Sequence, residues 1–140
     1  MDALPMENEW LNEFCAFKKW KFGFTKSDLK MIFNKKGLTE LSEYEKSCLR
    51  IDGIMLFGDP ASAFFTFNND VLSKVTLLWE SQTSGAYVSS KIKHVKEILD
   101  KEYGASQANE HSMQWDTKEL RLILGIETAS GKMIAQFQPI

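Results

Sequence analysis

The chain has 140 residues, of which 44% are hydrophobic and 26% are charged, and its formal net charge is −2. This length suits one domain over residues 1–140 with one hydrophobic core, and the composition excludes an intrinsically disordered chain. A net charge this close to zero provides no global attraction to nucleic acid.

The charged residues are segregated along the chain. Residues 18–37 contain seven lysines against Asp28, whereas residues 38–70 contain six acidic residues against Lys46 and Arg50. This pattern indicates either a dipolar surface that steers a charged partner or an ordinary solvated surface.

The cysteines and the amino-terminal residues bear on the cellular compartment. Cys15 and Cys48 lie in apolar surroundings and outside any Cys-x-x-Cys pair, so we predict buried free thiols in a reducing environment. The first ten residues lack a basic region followed by an apolar run, and no segment approaches the roughly 18 apolar residues that span a bilayer. The sequence therefore predicts a cytoplasmic protein without a membrane-spanning segment.

The amino-terminal part of the chain is predicted to be mainly helical. An amphipathic apolar pattern predicts a helix over 7–19, and the alternation of aromatic residues with lysines predicts a short strand or an extended segment over 20–24. Thr25 and Asp28 then have the spacing of a capping box at the start of a second helix, which Gly37 ends.

The middle of the chain has the two-residue period of β-strands. Strands are predicted over 47–58, 61–68 and 71–80, and residues 38–47 are predicted to be a polar connection or one further helical turn.

Small and polar residues predict how these strands are shaped and connected. Gly53 predicts a bulge or bend inside a strand, and Asp59-Pro60 predicts a turn. The trio Asn68-Asn69-Asp70 carries groups that suit a metal or a catalytic acid, but strand periods on both sides of it favour a plain hairpin turn.

The carboxy-terminal part of the chain repeats the helix-then-strands order. The clearest amphipathic pattern predicts a helix over 87–104, and strands are predicted over 111–117, 119–128 and 131–139.

Short connections between consecutive strands predict an antiparallel sheet. The expected fold class is α+β, an antiparallel sheet meander packed by helices on one face, in the order α-(β)-α-β-β-β-α-β-β-β. A helix followed by three strands occurs twice, although the two halves do not align in sequence. We expect the long helix to cover the apolar sheet face, and Thr66, Lys74, Thr76, Arg121 and Glu127 to lie on a solvated face.

The sequence contains none of the common catalytic, nucleotide-binding or metal-binding motifs. Asp52, Asp59 and Asp70 fall at separate turns and strand ends, which does not fit a site for a hard cation. His94 is predicted to lie on the solvent side of its helix, and strand alternation separates His111 from the neighbouring glutamate. We therefore expect no enzyme activity, no cofactor and no metal.

Two segments carry a resemblance to known proteins. The segment FGFTKSDLKMIF (22–33) resembles the helix start, and FFTFNNDVLSKVTLLWE (64–80) resembles the strand–turn–strand, of small bacterial α+β proteins. This group includes the beta-lactamase inhibitory protein, outer-membrane assembly lipoproteins of the SmpA/OmlA type, and toxin-immunity proteins. The resemblance implies a helical layer on an antiparallel sheet and a function in binding a protein partner. The chain lacks the lipobox cysteine of the lipoprotein members.

These observations favour a non-catalytic protein-binding module, most concretely an immunity protein or inhibitor that neutralises a bacterial toxin or effector by direct binding. The acidic segment 38–70 would dock a basic partner surface. The candidate binding residues are charged members of the solvated sheet face, members of the acidic segment, and one aromatic anchor. They are Lys74, Arg121 and Glu127, then Glu40, Glu43, Glu45 and Asp59, and finally Trp20.

Two alternatives stay open. An apolar pocket lined by Phe65, Phe67, Leu77 and Trp79 would carry a small ligand. Residues 18–36, in which lysines lie between aromatic residues, would bind single-stranded nucleic acid, although the absence of arginine there weakens this alternative.

Overall fold

The computed structural model of the chain describes residues 5–34, 42–45, 48–79, 85–109, 112–127 and 131–140. Three helices and eight strands lie within these residues. The helices are α1 (Pro5–Phe17), α2 (Lys26–Asn34) and α3 (Gly85–Tyr103). The strands are β1 (Ser42–Glu45), β2 (Cys48–Leu56), β3 (Asp59–Asn68), β4 (Val71–Leu78), β5 (Gln107–Ala108), β6 (Ser112–Asp116), β7 (Leu120–Ile126) and β8 (Met133–Pro139).

The strands form one antiparallel sheet in the order β1-β2-β3-β4-β8-β7-β6-β5. Strands β1 to β4 form one meander and β5 to β8 form another, and the two meanders meet where β4 pairs with β8. The fold class is α+β, as the sequence predicts. Each half has a helical segment followed by four strands, so the architectural repeat extends to one strand more per half than the sequence indicates.

The hydrophobic core lies between the helices and one face of the sheet. From α1, the ring of Phe14 lies 6.3 Å from that of Phe137 on β8, and the ring of Phe17 lies 6.2 Å from that of Phe65 on β3. Helix α3 contributes the buried side chains of Val95 and other apolar residues to the same cluster. Both helices therefore cover one face of the sheet, as predicted, and α1 shares this face with the long helix.

The predicted capping box is present at the start of α2. The backbone N–H of Thr25 donates to Oδ2 of Asp28 at 2.9 Å, and the backbone N–H of Asp28 donates to Oγ1 of Thr25 at 3.3 Å. These two bonds satisfy amide donors that have no partner within the helix, so the sequence determines where α2 begins. The predicted end of this helix at Gly37 lies outside the described residues.

The predicted hairpin turn and bulge are also present. Asn69 and Asp70 have φ angles of 52° and 64°, as a two-residue type I′ turn between β3 and β4 requires. Gly53 has a φ of 72°, and the β2–β3 register shifts between Ile51 and Ile54. The trio at 68–70 is thus a turn, and Gly53 provides the left-handed backbone of a bulge.

The prediction of a turn at Asp59-Pro60 is wrong. The turn lies at Phe57 and Gly58, whose φ angles are 52° and 84°, and Asp59 and Pro60 are the first residues of β3. Proline is compatible with the first positions of a strand, which is why Pro60 does not mark the turn itself.

Two short segments differ from their predicted structure. Residues 20–24 contain a turn at which Gly23 has a φ of 101°, and they pair with β4 only through Gly23 and Phe24, which hydrogen-bond to Leu72. Within the predicted connection 38–47, Ser42–Glu45 form β1, an edge strand that pairs with β2.

The two cysteines differ in exposure. Cys48 is buried, as predicted, whereas Cys15 is a free thiol on the exposed side of α1. The prediction of a buried thiol is wrong for Cys15 because Phe14 and Phe17, its apolar neighbours in sequence, point to the core on the other side of the helix.

Candidate protein-binding face of the sheet

The two faces of the sheet have different surroundings. Residues that alternate along the central strands are buried against α1 and α3, whereas the residues between them are half-buried on the opposite face. We call this opposite side the open face. Its central members are Arg50, Ser62, Phe64, Thr76, Leu78, Gln114, Ile123, Ile134 and Gln136.

One row of residues crosses the open face over six strands. The register pairs Arg50 with Phe64, Phe64 with Thr76, and Thr76 with Gln136. It continues from Gln136 through Ile123 to Gln114. Five strand spacings of about 4.8 Å give this row a length of about 24 Å, which is wide enough for a protein partner.

The centre of the open face is apolar. Leu78 pairs with Ile134 on the neighbouring strand, and Phe64 and Ile123 lie in the adjacent row. All four side chains are half-buried. Apolar side chains at strand positions that point away from the core form a patch that another protein surface can cover.

An ion pair lies at the β2 side of this apolar centre. Nε of Arg50 donates to Oδ1 of Asp52 at 2.8 Å, and the Ser62 hydroxyl donates to the same oxygen at 2.7 Å. The hydrogen bond from Ser62, followed by that from Arg50, lowers the pKa of Asp52. The Arg50 guanidinium also lies 5.1 Å from the ring centre of Phe64, so the charged group borders the apolar centre.

A second ion pair lies at the β6 side. Nε of Arg121 donates to Oδ1 of Asp116 at 2.9 Å, and Nε2 of Gln114 lies 3.2 Å from both carboxylate oxygens. The hydrogen bond from Arg121 lowers the pKa of Asp116, and the same bond raises the pKa of Arg121. The open face therefore has an apolar centre between two charge-compensated ends.

The structure brings Lys74 and Arg121 of the predicted sheet-face residues near one another, and places Glu127 at the opposite end of β7. Lys74 pairs with Thr66 on the open face, and continuing the β4–β8 register by one residue places Lys74 in line with Gln138, which pairs with Arg121. Glu127 is exposed just after β7, where its backbone closes the β7–β8 connection with Lys132 and Gly131.

Asp59 lies away from the open face, in a partly buried polar cluster on the side of the helices. The Tyr87 hydroxyl on α3 donates to Oδ2 of Asp59 at 2.5 Å, and the Lys91 ammonium also donates to this oxygen. Lys91 is only 3% exposed, although lysine side chains usually lie in solvent. The carboxylate of Asp59, the first residue of β3, and the adjacent Trp10 ring compensate the burial of the Lys91 ammonium group.

Trp20 is not available as a surface anchor. Its side chain is fully buried, and its ring packs against those of Phe17, Phe65 and Phe137. The proposed role of Trp20 in binding is therefore wrong, because the alternation of aromatic residues with lysines directs this ring into the core.

The remaining predicted acidic residues are described only in part. Glu40 lies outside the described residues, and the backbone of Glu43 and Glu45 belongs to β1. His111 also lies outside the described residues. His94 is half-buried, with its ring 6.3 Å from that of Trp10, so it is not the surface residue that the sequence predicts.

The residues that carry the two alternative functions are mostly core residues. Phe65, Phe67, Leu77 and Trp79 are buried, and the Phe65 ring contacts neighbouring aromatic rings, so neighbouring side chains fill the predicted ligand pocket. In the predicted nucleic-acid segment, the side chains of Trp20 and Phe33 are buried in the core, whereas the lysines at 19 and 21 are exposed. Within the described ranges, no group of three or more metal-ligating side chains is arranged around a common point.

Sequence reasoning missed the apolar centre of the open face. The signal was present, because AFFTF, TLLW, LRLILG and KMIAQF carry apolar residues at both strand parities. A strand with one solvated face needs apolar residues at only one parity. Phe64, Leu78, Ile123 and Ile134 occupy the other parity, and they mark a surface that a partner can cover.

Comparison of the chain with protein-family models, with curated proteins and with solved structures found no match. In the part of the chain that the structure describes, no helix combines the length and the apolar character that crossing a bilayer requires.

Proposed function

We propose that the chain is a non-catalytic protein-binding module that recognises a folded protein partner through the open face of its sheet. In its most concrete form, it is an immunity protein or inhibitor that neutralises a toxin or effector by direct binding. The observation that carries this proposal is the apolar centre of Phe64, Leu78, Ile123 and Ile134, which points away from the core.

The composition of the open face supports a separable partner. Interfaces between independently folded proteins have a partly apolar centre and a polar rim, whereas permanent homodimer interfaces are more apolar throughout. On this face Thr76 and Gln136 lie between the apolar residues, and ion pairs lie at both ends. We therefore favour a heterologous protein over a second copy of this chain.

The acidic segment supports a partner with basic groups. The sequence from 38 to 70 carries four more acidic than basic residues, and its strand β1 forms the edge of the sheet next to β2. Electrostatic complementarity of this kind accelerates association and selects among partners.

The test uses the product of the gene adjacent to the one that encodes this chain, when that product is toxic or enzymatically active. Binding is measured by calorimetry, and inhibition is measured in the activity assay of that product. The Leu78→Glu variant places a charge in the apolar centre, and it should weaken the complex at least about 30-fold, as expected for a hot-spot residue. Ser89→Glu adds the same charge to the exposed side of α3 and should leave affinity unchanged.

A second variant tests whether an effect of Leu78→Glu on binding comes only from a change in folding. Thr76→Arg adds bulk to the centre of the open face without removing an apolar contact, and Ser89→Arg is its control. Equal affinity of Thr76→Arg, Leu78→Glu and the unmodified chain would exclude the open face as the binding surface. A stable complex of two copies, disrupted by the same substitutions, would instead identify a homodimer and contradict the proposal.

A further inference from the structure

A cleft lies beside the bulged part of β2, on the side of the helices. It has a volume of about 230 Å³ and is formed by α1, by Phe33 of α2, and by the bulged part of β2. Gly53, which forms the bulge of β2, is part of its wall.

The cleft combines apolar walls with a single carboxylate. Ala16, Phe33 and Ile54 contribute apolar surface, and Glu13 is the charged residue among the lining residues that the structure describes. Oε1 of Glu13 accepts a hydrogen bond from the backbone N–H of Gly58 at 2.9 Å, so the carboxylate is held in place by the β2–β3 turn.

Two carboxylates share the Lys91 ammonium group. Among the described residues, Lys91 is the cation whose electrostatic field reaches Glu13, and its ammonium group already donates to Asp59. An additional cation at the cleft would balance the charge.

The cleft is continuous with the proposed binding face. Met55 lines the cleft and is 49% exposed, and in the sheet it pairs with Pro60 on the side of the open face. Met55 therefore places one wall of the cleft beside the part of the open face that lies on β2.

We propose that this cleft is a binding pocket for one basic side chain, a lysine or an arginine, presented by the protein partner. The alkyl stem packs between Phe33, Ile54 and Ala16, and the cationic head binds the carboxylate of Glu13. A long side chain with an apolar stem and a charged end matches these two features of the cleft. The inference rests on the proposed function, because it assigns the pocket to the partner of the open face.

The first test uses the isolated protein and small probes, so its outcome does not depend on a partner. The probes are n-butylguanidinium and the neutral, similarly shaped n-butylurea, each titrated while backbone amide NMR signals are recorded. We expect n-butylguanidinium to bind in about the millimolar range and to shift the amide signals of Ala16, Gly53 and Ile54. We expect n-butylurea to bind at least about tenfold more weakly, because it lacks the charge.

Variants of residues that line the cleft identify which groups bind the probes. Glu13→Gln keeps an oxygen acceptor for the Gly58 amide but removes the charge, so it should abolish the preference for n-butylguanidinium over n-butylurea. Glu9→Gln makes the same change on the exposed side of α1 and should preserve this preference. Ala16→Leu fills the cleft while retaining Glu13, and it should weaken both probes.

The results separate failure of this inference from failure of the proposed function. Equal binding of the two probes, or an unchanged preference in Glu13→Gln, would overturn the pocket even if a partner binds the open face. Saturable, Glu13-dependent binding would support it even before a partner is known. Once a complex is available, Glu13→Gln should weaken it about tenfold more than Glu9→Gln does, and equal affinities would overturn the assignment of the pocket to that partner.

Discussion

Lys91 connects α3 to the start of β3 through a buried charge. Its ammonium group donates to Asp59 and lies 3.5 Å from the Tyr87 hydroxyl and 5.0 Å from the centre of the Trp10 ring. Burial lowers the pKa of Lys91, while the hydrogen bond and charge of Asp59 partly oppose this shift. The ammonium group is therefore stable in this position only while Asp59 is its partner.

We predict that Lys91→Met lowers the free energy of unfolding by about 2 kcal/mol, because it leaves the Asp59 carboxylate without its cation. The estimate lies below the roughly 3–5 kcal/mol expected for a fully buried pair, since the Asp59 side chain is 21% exposed and regains some hydration. Denaturant titration measures the change, and Lys93→Met, which alters an exposed lysine on the same helix, should remain within about 0.5 kcal/mol of the unmodified chain. If the two variants have equal stability, Lys91 does not connect α3 to the sheet.

Two tyrosines should ionise at an unusually high pH. The hydrogen bond to Asp59 raises the pKa of Tyr87 to about 12, and burial raises the pKa of Tyr103 to about 12. Because an unfolded tyrosine has a pKa near 10, the folded state retains protons between pH 10 and 12 that the unfolded state has lost. The free energy of unfolding should therefore decrease as pH rises through this window.

Phenolate absorbance during an alkaline titration measures this ionisation. A phase near pH 12 should lose amplitude in Tyr87→Phe and again in Tyr103→Phe, and all tyrosines should titrate near pH 10 in denaturant. Titration of all tyrosines of the folded protein in a single phase near pH 10 would contradict the environments described for Tyr87 and Tyr103.

At the scale of elements, Asp100 fastens the end of α3 to the sheet. One of its oxygens accepts hydrogen bonds from the Trp115 indole at 2.9 Å and from the Ser106 backbone at 3.1 Å, and the other accepts from Lys96 at 2.7 Å. Burial raises the pKa of Asp100, but the hydrogen bonds from Lys96 and Trp115 more than offset this and lower it overall.

We predict that Asp100→Ala lowers the free energy of unfolding by about 1 to 3 kcal/mol, because the indole N–H of the buried Trp115 loses its acceptor. Glu97→Ala removes an exposed carboxylate from the same helix and is the control. Stability from Asp100 is present above its unfolded pKa and is lost as pH falls through the lower folded pKa, so Asp100→Ala should also flatten the acid side of the stability profile. Identical acid profiles of the two variants would contradict this role.

Structural features that depend only on residues close together in the chain were predictable from the sequence. The capping box at Thr25 and the I′ turn at Asn69 and Asp70 depend on side chains within four residues of one another, so their spacing was sufficient. The turn at Phe57 and Gly58 was missed because phenylalanine rarely adopts a positive φ. The packing of Trp10 against Gly58, where an added Cβ would lie 2.7 Å from its indole nitrogen, is a tertiary contact.

At the scale of the whole molecule, the fold class was predictable but the central strand pairing was not. The pairing of β4 with β8 joins the two meanders, and nothing local in either strand specifies it. It depends on α1 and α3 covering one common face, which also buries Lys91. The apolar centre of the open face was readable from strand parity at Phe64 and Leu78, whereas the cleft at Glu13 depends on contacts among three separate elements.

The most direct test of the account is a methyl NMR footprint of the complex with the partner. Binding should shift the methyl signals of Leu78, Ile123 and Ile134 on the open face, and it should leave those of Ile92 and Ile98 on α3 in place. Unchanged signals on the open face together with shifts on α3 would contradict the central claim that the open face is the binding surface.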